Sequence, residues 1–294
     1  MFVLAHLSDL HMAATPRLAD LAGKRGLGFI NWQRKRKYIH RPEALEAITR
    51  DLARCGADHI AVTGDLVNLS LPPEYLRTRQ WLDTLGAAAD VTVVPGNHDV
   101  YVPQARPCPA AYWGDFMRGD GDNEHRGFPF LRRRGPLALI ALCSGVPTGP
   151  FLATGRLGRE QLERLARALE ETKESFRVVL IHHPPASPPR RHLRRLTDAA
   201  EFRGALAAKG AELLLHGHDH RNAIAWLDGP GAMIPAVGVA SASACARHGG
   251  EDAAGYHIFR IEGQAGAWRC ELIARELDAD GGVGEIARQP LNKN

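Results

Sequence analysis

Cysteine is scarce in this chain, and no cysteine has a partner close by in the sequence. The five residues, Cys55, Cys108, Cys143, Cys245 and Cys270, are odd in number, lie far apart and include no C-x-x-C pair. A disulfide framework and a thiolate zinc site are therefore not expected, and a reducing compartment fits. Long apolar runs are also missing: none approaches the roughly 20 residues that a membrane span requires. Met1 passes straight into Phe2-Val3-Leu4-Ala5 without the basic region of a secretory leader, so a cytoplasmic location is expected. There is little excess of either charge. Lys and Arg number 37 against 33 Asp and Glu, a formal net charge of +4, and this balance does not call for an obligate nucleic-acid partner. Hydrophobic residues at 45% and charged residues at 24% match ordinary globular averages and exclude disorder, collagen and coiled coil. A length of 294 residues suits one large domain or two small ones.

Short apolar runs alternate with helical patterns over most of the length, as in layered α/β architecture. Buried strands are expected at 2–7, 59–63, 91–94, 137–142, 177–181 and 211–215. Pro42 suits the first turn of a helix in which Leu45, Ile48 and Leu52 recur at helical spacing. Residues 159–171 repeat that pattern with Leu162, Leu165 and Leu169. After His220 the chain reads as a second sheet, with runs at 223–227, 233–240, 256–261 and 268–274. One domain over residues 1–277 is expected, followed by a loosely held, Gly-rich polar tail at 278–294. Residues 13–40 interrupt the first strand-to-helix connection and are far longer than the usual connection of about 2–6 residues.

All but one of the expected strands in the first two-thirds end in groups able to bind a metal. They are Asp9-Leu10-His11, Gly64-Asp65, Gly96-Asn97-His98-Asp99, His182-His183 and Gly217-His218-Asp219-His220. In an open α/β sheet the carboxyl ends of strands point to one crevice, so residues remote in sequence can meet there. Asp, His and Asn without Cys favour manganese, iron or zinc over a structural thiolate zinc. Gly64, Gly96 and Gly217 precede ligand positions, where a sharp turn would need a φ that side chains resist.

In order and type these five blocks resemble the calcineurin-like metallophosphoesterase family, whose pattern is D-x-H, G-D, G-N-H-D/E, a His after a strand, and G-H-x-H. The resemblance implies a two-sheet β-sandwich flanked by helices. It also implies two divalent metal ions, manganese, iron or zinc. Asp9, His11 and His220 would hold one and Asn97, His182 and His218 the other, with Asp65 bridging. A metal-bridging hydroxide would then attack a phosphate ester, while His98 contacts the phosphate or protonates the departing alkoxide. Where the protein-phosphatase branch carries a second Asp, this chain has Asn68. Its blocks look more like the bacterial phosphodiesterase branch, which acts on cyclic nucleotides and glycerophosphodiesters. Asn68 and His183 are candidate substrate contacts, His183 being equally suited to a structural place. Asp99 is expected to order its loop, and His6 and His216 to pack in the core.

Residues 17–41 concentrate Arg17, Lys24, Arg25, Arg34, Lys35, Arg36, Lys37 and Arg41 against a single acid, Asp20. Leu27, Phe29, Ile30, Trp32, Tyr38 and Ile39 are interleaved with them. A second basic group follows at Arg190, Arg191, Arg194 and Arg195. The first mixture suits a solvated face, an anionic lipid or membrane surface, or single-stranded nucleic acid. A phosphodiesterase with this stretch as a cap is the leading expectation, with peripheral contact at the inner membrane face. The alternatives are a lipid-linked nucleotide pyrophosphatase resembling the UDP-2,3-diacylglucosamine hydrolases, a nuclease, and a non-catalytic scaffold.

Overall fold

The structure is a computed structural model that describes residues 1–121 and 127–291. Its strands run β1 Phe2–Leu7, β2 His59–Val62, β3 Val91–Val93, β4 Phe130–Arg134, β5 Leu137–Ala141, β6 Phe176–Leu180, β7 Leu213–His216, β8 Ala223–Leu227, β9 Ile234–Gly238, β10 Gly255–Glu262, β11 Arg269–Leu277 and β12 Val283–Pro290. They form two six-stranded mixed sheets, ordered β12-β11-β10-β1-β2-β3 and β4-β5-β6-β7-β9-β8. In the first sheet β1, β2 and β3 are parallel. In the second, β5, β6, β7 and β9 are parallel.

The parallel strands are largely buried on both faces, and their alternate residues enter different cores. Leu4, Ala61, Leu139, Val178, Leu180, Leu215, Val237 and Phe259 meet between the sheets. Their neighbours Ala5, Ile60, Val62, Val91 and Val93 face outward under α3 (Pro42–Leu52) and α4 (Pro72–Leu85). On the other side Ile140, Val179, Ile181 and Leu214 face α6 (Arg159–Glu171) and α7 (Ala199–Lys209). The result is a helix–sheet–sheet–helix sandwich. In α3, Pro42 opens the helix, and Ala44, Leu45, Ile48 and Leu52 supply its buried stripe. Among the described residues, no helix is long and apolar enough to cross a membrane.

Three features depart from the sequence reading. The tail expected to be loosely held is instead β12 as far as Pro290, an edge strand paired with Glu271–Leu277. Only its first two residues are partly shielded and the other six are exposed, so its residues alternate in no readable way. Residues 292–294 of that tail lie outside the described residues, as does the side chain of Arg190. Strand β4 was also not anticipated, because its Phe-Leu-Arg-Arg-Arg sequence reads as a charged loop. The connection at 13–40 has structure of its own: α1 (Lys24–Asn31), a π-helical turn over Trp32–Arg36, and the short α2 (Lys37–Ile39). The remaining helix, α5 (Cys108–Trp113), packs Trp113 against Tyr75 of α4.

Arg132 explains how β4 is held. Its side chain is buried and reaches across to the edge of the other sheet, donating to the carbonyls of Val91 at 2.7 Å, Ala88 at 2.8 Å, Asp115 at 2.8 Å and Arg118 at 2.6 Å. Replacing it by Met would leave these acceptors without their donor. The expected loss of unfolding free energy is about 2–4 kcal/mol, read from urea denaturation, with metal content unchanged.

Candidate metal centre

The ligand-bearing loops are tied to one another before any ion is considered. The loop after β1 pairs with the loop after β2, with the backbone N–H groups of Asp9, His11 and Met12 donating to the carbonyls of Gly64, Asp65 and Leu66. Asp99 joins the loop after β2 to the loop after β3, accepting from Leu66 N at 2.8 Å, Val67 N at 3.0 Å and Gly96 N at 2.8 Å. The Asp9 carboxylate accepts from His218 N at 2.9 Å, and Gly217 N donates to the His182 carbonyl at 3.1 Å. These bonds hold Asp9, His11, Asp65, His218 and His220 at φ between 48° and 69°. That left-handed region costs a non-glycine residue of order 1–3 kcal/mol.

Of the three glycines expected to need a positive φ, only Gly64 has one, at 89°. Gly96 and Gly217 are required for another reason. A Cβ at Gly96 would collide with the Asp65 carboxylate, and one at Gly217 with Ser8 and the Asp9 carboxylate.

Second-layer hydrogen bonds aim the bare nitrogens of the histidines inward. His220 faces the Glu251 carboxylate with Nδ1 at 2.8 Å, which leaves Nε2 3.2 Å from Asp9 Oδ1 and 3.1 Å from His11 Nε2. His182 donates from Nδ1 to the Thr63 carbonyl at 2.7 Å, leaving Nε2 3.4 Å from Asp65 Oδ2 and 3.2 Å from His218 Nδ1. His218 in turn donates from Nε2 to the Arg194 carbonyl at 2.9 Å. Two groups of ring nitrogens and carboxylate oxygens, all able to accept, thus face one another at these distances. Asp65 takes part in both neighbourhoods, one with His11 and His98 and one with His182 and His218, in each of which the ligand atoms lie within 4.8 Å of one another.

Without a cation only protons can separate such acceptors. Burial opposes charge on His182 and His220. The Asp65 carboxylate nevertheless holds His182 up at about 9, and the Asp9 carboxylate, with Glu251, holds His220 up at about 9. Burial, helped by neighbouring rings, pushes His11 and His218 well below the ordinary histidine value. The buried Oδ1 of Asn97 has no hydrogen-bond partner at all. An orphaned amide oxygen beside bare imidazoles and carboxylates fits a divalent cation.

The structure thus brings together Asp9, His11, Asp65, His182, His218 and His220, sets His98 beside them, and carries Asn97 on the loop whose Gly96 and His98 meet Asp65. At two other histidines both ring nitrogens meet protein groups. His183 is fully buried, with Nδ1 2.8 Å from Ser144 Oγ and Nε2 3.1 Å from the Ala153 carbonyl. Both nitrogens are committed to the scaffold, so His183 is not free to contact substrate. His98 donates from Nδ1 to the Asn68 backbone carbonyl at 2.6 Å and accepts from Arg36 Nη1 on Nε2 at 2.8 Å. Burial first, and the Arg36 guanidinium second, push it down to about 3. Asn68 lies beside His98: its Oδ1 is 3.4 Å from Arg36 Nη1, and its buried Nδ2 has no partner. His6 binds Thr63 Oγ1 at 2.8 Å in the layer between the sheets, and His216 faces the Gly217 carbonyl at 3.1 Å; both stand outside the clusters.

Several residues of the centre had not been singled out from the sequence. Glu251 orients His220 from a loop with no recognisable motif. Arg36, Lys24 and His40 come from the 13–40 connection, where they were read only as members of a charged run. The His40 ring lies 4.5 Å from that of His11, and its Nδ1 is 2.9 Å from Ser243 Oγ. Lys24 sits 4.3 Å over the Tyr101 ring, which itself stacks on His98 at 5.1 Å. Burial lowers Lys24 to about 8.

A family model described as calcineurin-like phosphoesterase matches residues 2–222. The chain belongs to that family. It is similar to a protein of Synechococcus named a probable cyclic nucleotide phosphodiesterase, with 27% identity over 279 residues covering 94% of this chain and 93% of the relative. Among solved structures it is similar in fold to the purple acid phosphatase of yellow lupin, with a TM-score of 0.58 at 11% identity over 97% of this chain. This chain spans about half of the lupin enzyme, 52% of its length. The 5'-nucleotidase precursor of Thermus thermophilus matches with a TM-score of 0.46, 13% identity, and coverage of 98% of this chain and 53% of that one.

Because a cation must displace the protons held on His182 and His220, manganese affinity of the metal-free protein should rise with pH up to about 9. Calorimetric titration in buffers of different ionisation enthalpy should show protons released on binding. Affinity independent of pH would mean that these rings are not ligands.

Proposed function

We propose that this protein is a phosphodiesterase working with two divalent cations. Asp9, His11 and His220 would hold one, Asn97, His182 and His218 the other, with Asp65 shared. The observation that carries this reading is the placement of Asp65 between two groups of bare acceptor atoms. The name of the Synechococcus relative supports the diester class. Cations held this way supply a clamp on the attacking and leaving oxygens of an in-line displacement and lower the pKa of water. The donor set of carboxylate, imidazole and amide suits manganese, iron or zinc.

The remaining steps belong to the chain's own side chains. Arg36 is aimed at the cluster by His98 and Asn68 and can turn its remaining N–H groups onto the non-bridging phosphate oxygens. Lys24 adds a second positive charge above Tyr101. The unpartnered Nδ2 of Asn68 is a further donor. His98 positions Arg36 through its neutral Nε2 rather than delivering a proton.

Hydrolysis of bis(p-nitrophenyl) phosphate with added manganese tests this reading. Asp65→Ala should lose most of its metal and nearly all activity, since the remaining ligands no longer neutralise two cations at close range. His98→Ala should keep its metal, raise KM about 10- to 100-fold as one charged contact loses its aim, and leave the pH profile of kcat unchanged. Loss of one limb of that profile would restore His98 as the acid. Full metal loading without hydrolysis of any diester would favour a binding scaffold.

A further inference from the structure

Beside the His11 cluster lies a cavity of about 880 Å³ that the proposed chemistry does not use. His11 and His40 stand at its inner end. Leu10, Met12, Trp32, Leu45 and Trp81 give it apolar walls, and α3 lines it from Pro42 to Ala53. At the helical rise of 1.5 Å per residue that length is about 17 Å. The volume falls in the range of small-molecule sites, about 300–1,000 Å³. Lys37, Arg41, Arg50 and Arg77 border it against the single acid Glu46. An elongated apolar slot with a cationic border and a metal cluster at one end is matched by a molecule with an apolar tail and an anionic head.

We propose, resting on the phosphodiesterase reading, that this cavity takes an alkyl or acyl chain of the substrate, which makes the substrate a lipid phosphoester. A cyclic nucleotide is compact and polar-edged; it would leave most of the slot empty and its base edges without partners. Hydrolysis breaks one P–O ester bond: water supplies the oxygen gained by phosphorus, and a proton goes to the released alcohol. A second observation points to the same class of molecule. Of the eleven exposed large apolar side chains among the described residues, seven lie on the 13–40 connection or on the segments at 151–152 and 193, including Leu18, Leu27, Ile30, Phe151 and Leu193. These segments are joined at the site, with Lys24 bonded to Thr148 Oγ1 at 2.7 Å and Ala153 N to the Leu193 carbonyl at 2.9 Å. Apolar groups clustered among cations are suited to the surface of an anionic lipid layer.

The first measurement is binding to metal-free protein, with quenching of Trp32 and Trp81 fluorescence by dodecyl phosphate carrying a terminal bromine. Saturable quenching is expected, weakened about tenfold in Ala53→Phe, which fills the outer end of the slot from an exposed position far from the ligands. Thr84→Phe fills the same end from α4 and should act alike if the first variant fails to fold. The second measurement is KM for the p-nitrophenyl esters of methyl, hexyl and dodecyl phosphate with manganese. Each fully buried methylene is worth up to about fourfold in affinity, so KM should fall at least tenfold from methyl to dodecyl. Ala53→Phe should keep the methyl value and lose that gain. A KM indifferent to chain length, quenching unchanged in both variants, or displacement of the probe by cyclic AMP would overturn the proposal. If the probe binds as expected but no ester is hydrolysed, the phosphodiesterase reading fails while the chain site stands.

Discussion

Asp9 and Asp65 are buried carboxylates, 0% and 2% exposed, and the groups that face them are chiefly imidazoles with bare nitrogens. Negative charge withdrawn from water must be matched nearby, or it is neutralised by a shifted pKa. Most of the centre is built around these two groups. Histidine orientations are set from behind by Thr63, Arg194 and Glu251. The loops lock one another through backbone bonds and through Asp99, so the left-handed conformations of the ligand residues are held in place. A divalent cation would complete this balance where protons on His182 and His220 only approximate it.

The 13–40 connection lies against that centre. It is anchored at both ends and between them: Ala14 N donates to Glu74 Oε1, Arg25 donates to the carbonyls of Leu69 and Ser70, and the following Arg41 N donates to the Ser243 carbonyl. Close packing at Gly28, where a Cβ would touch Tyr101 and Leu69, seats α1 against the loops after β2 and β3. From this seat Arg36 reaches His98, Lys24 reaches Tyr101 and His40 reaches His11. One segment therefore supplies Arg36 and Lys24, part of the lining of the apolar slot and four of the exposed large apolar groups. Recognition of head, tail and surface would then be a property of one insertion laid on an otherwise general metal-binding frame.

The neutral state of His98 follows from the same arrangement. An Asp at position 68 would have favoured a protonated ring. With Asn68, the backbone carbonyl takes the Nδ1 proton, and Arg36 occupies the other nitrogen. Placing the fixed positive charge on a guanidinium makes that charge independent of pH near neutrality, whereas an imidazolium would titrate.

The five metal-binding blocks, the inner strands and the helix at Pro42 were legible in the sequence because their determinants are local. Alternating burial writes itself into Leu4-Ala5 or Val178-Val179, and a ligand after a strand needs only its own few residues. Strand β12 was not legible, because an exposed edge strand has no apolar face to reveal it; β4 was hidden because the partners of Arg132 belong to other segments. Glu251, Arg36 and His40 were unreadable as parts of the centre, since nothing around them in the chain distinguishes an orienting carboxylate or a phosphate-facing arginine from a solvated charge. The roles assigned to His98 and His183 turned on which groups meet each ring nitrogen, and those groups come from residues 36, 68, 144 and 153. By itself the sequence determined that a sandwich of two sheets would gather Asp, His and Asn at one edge. Only the tertiary structure decided which nitrogens face the ions, which ring stays neutral and what shape of molecule can lie beside them, because each of those depends on contacts between segments remote along the chain.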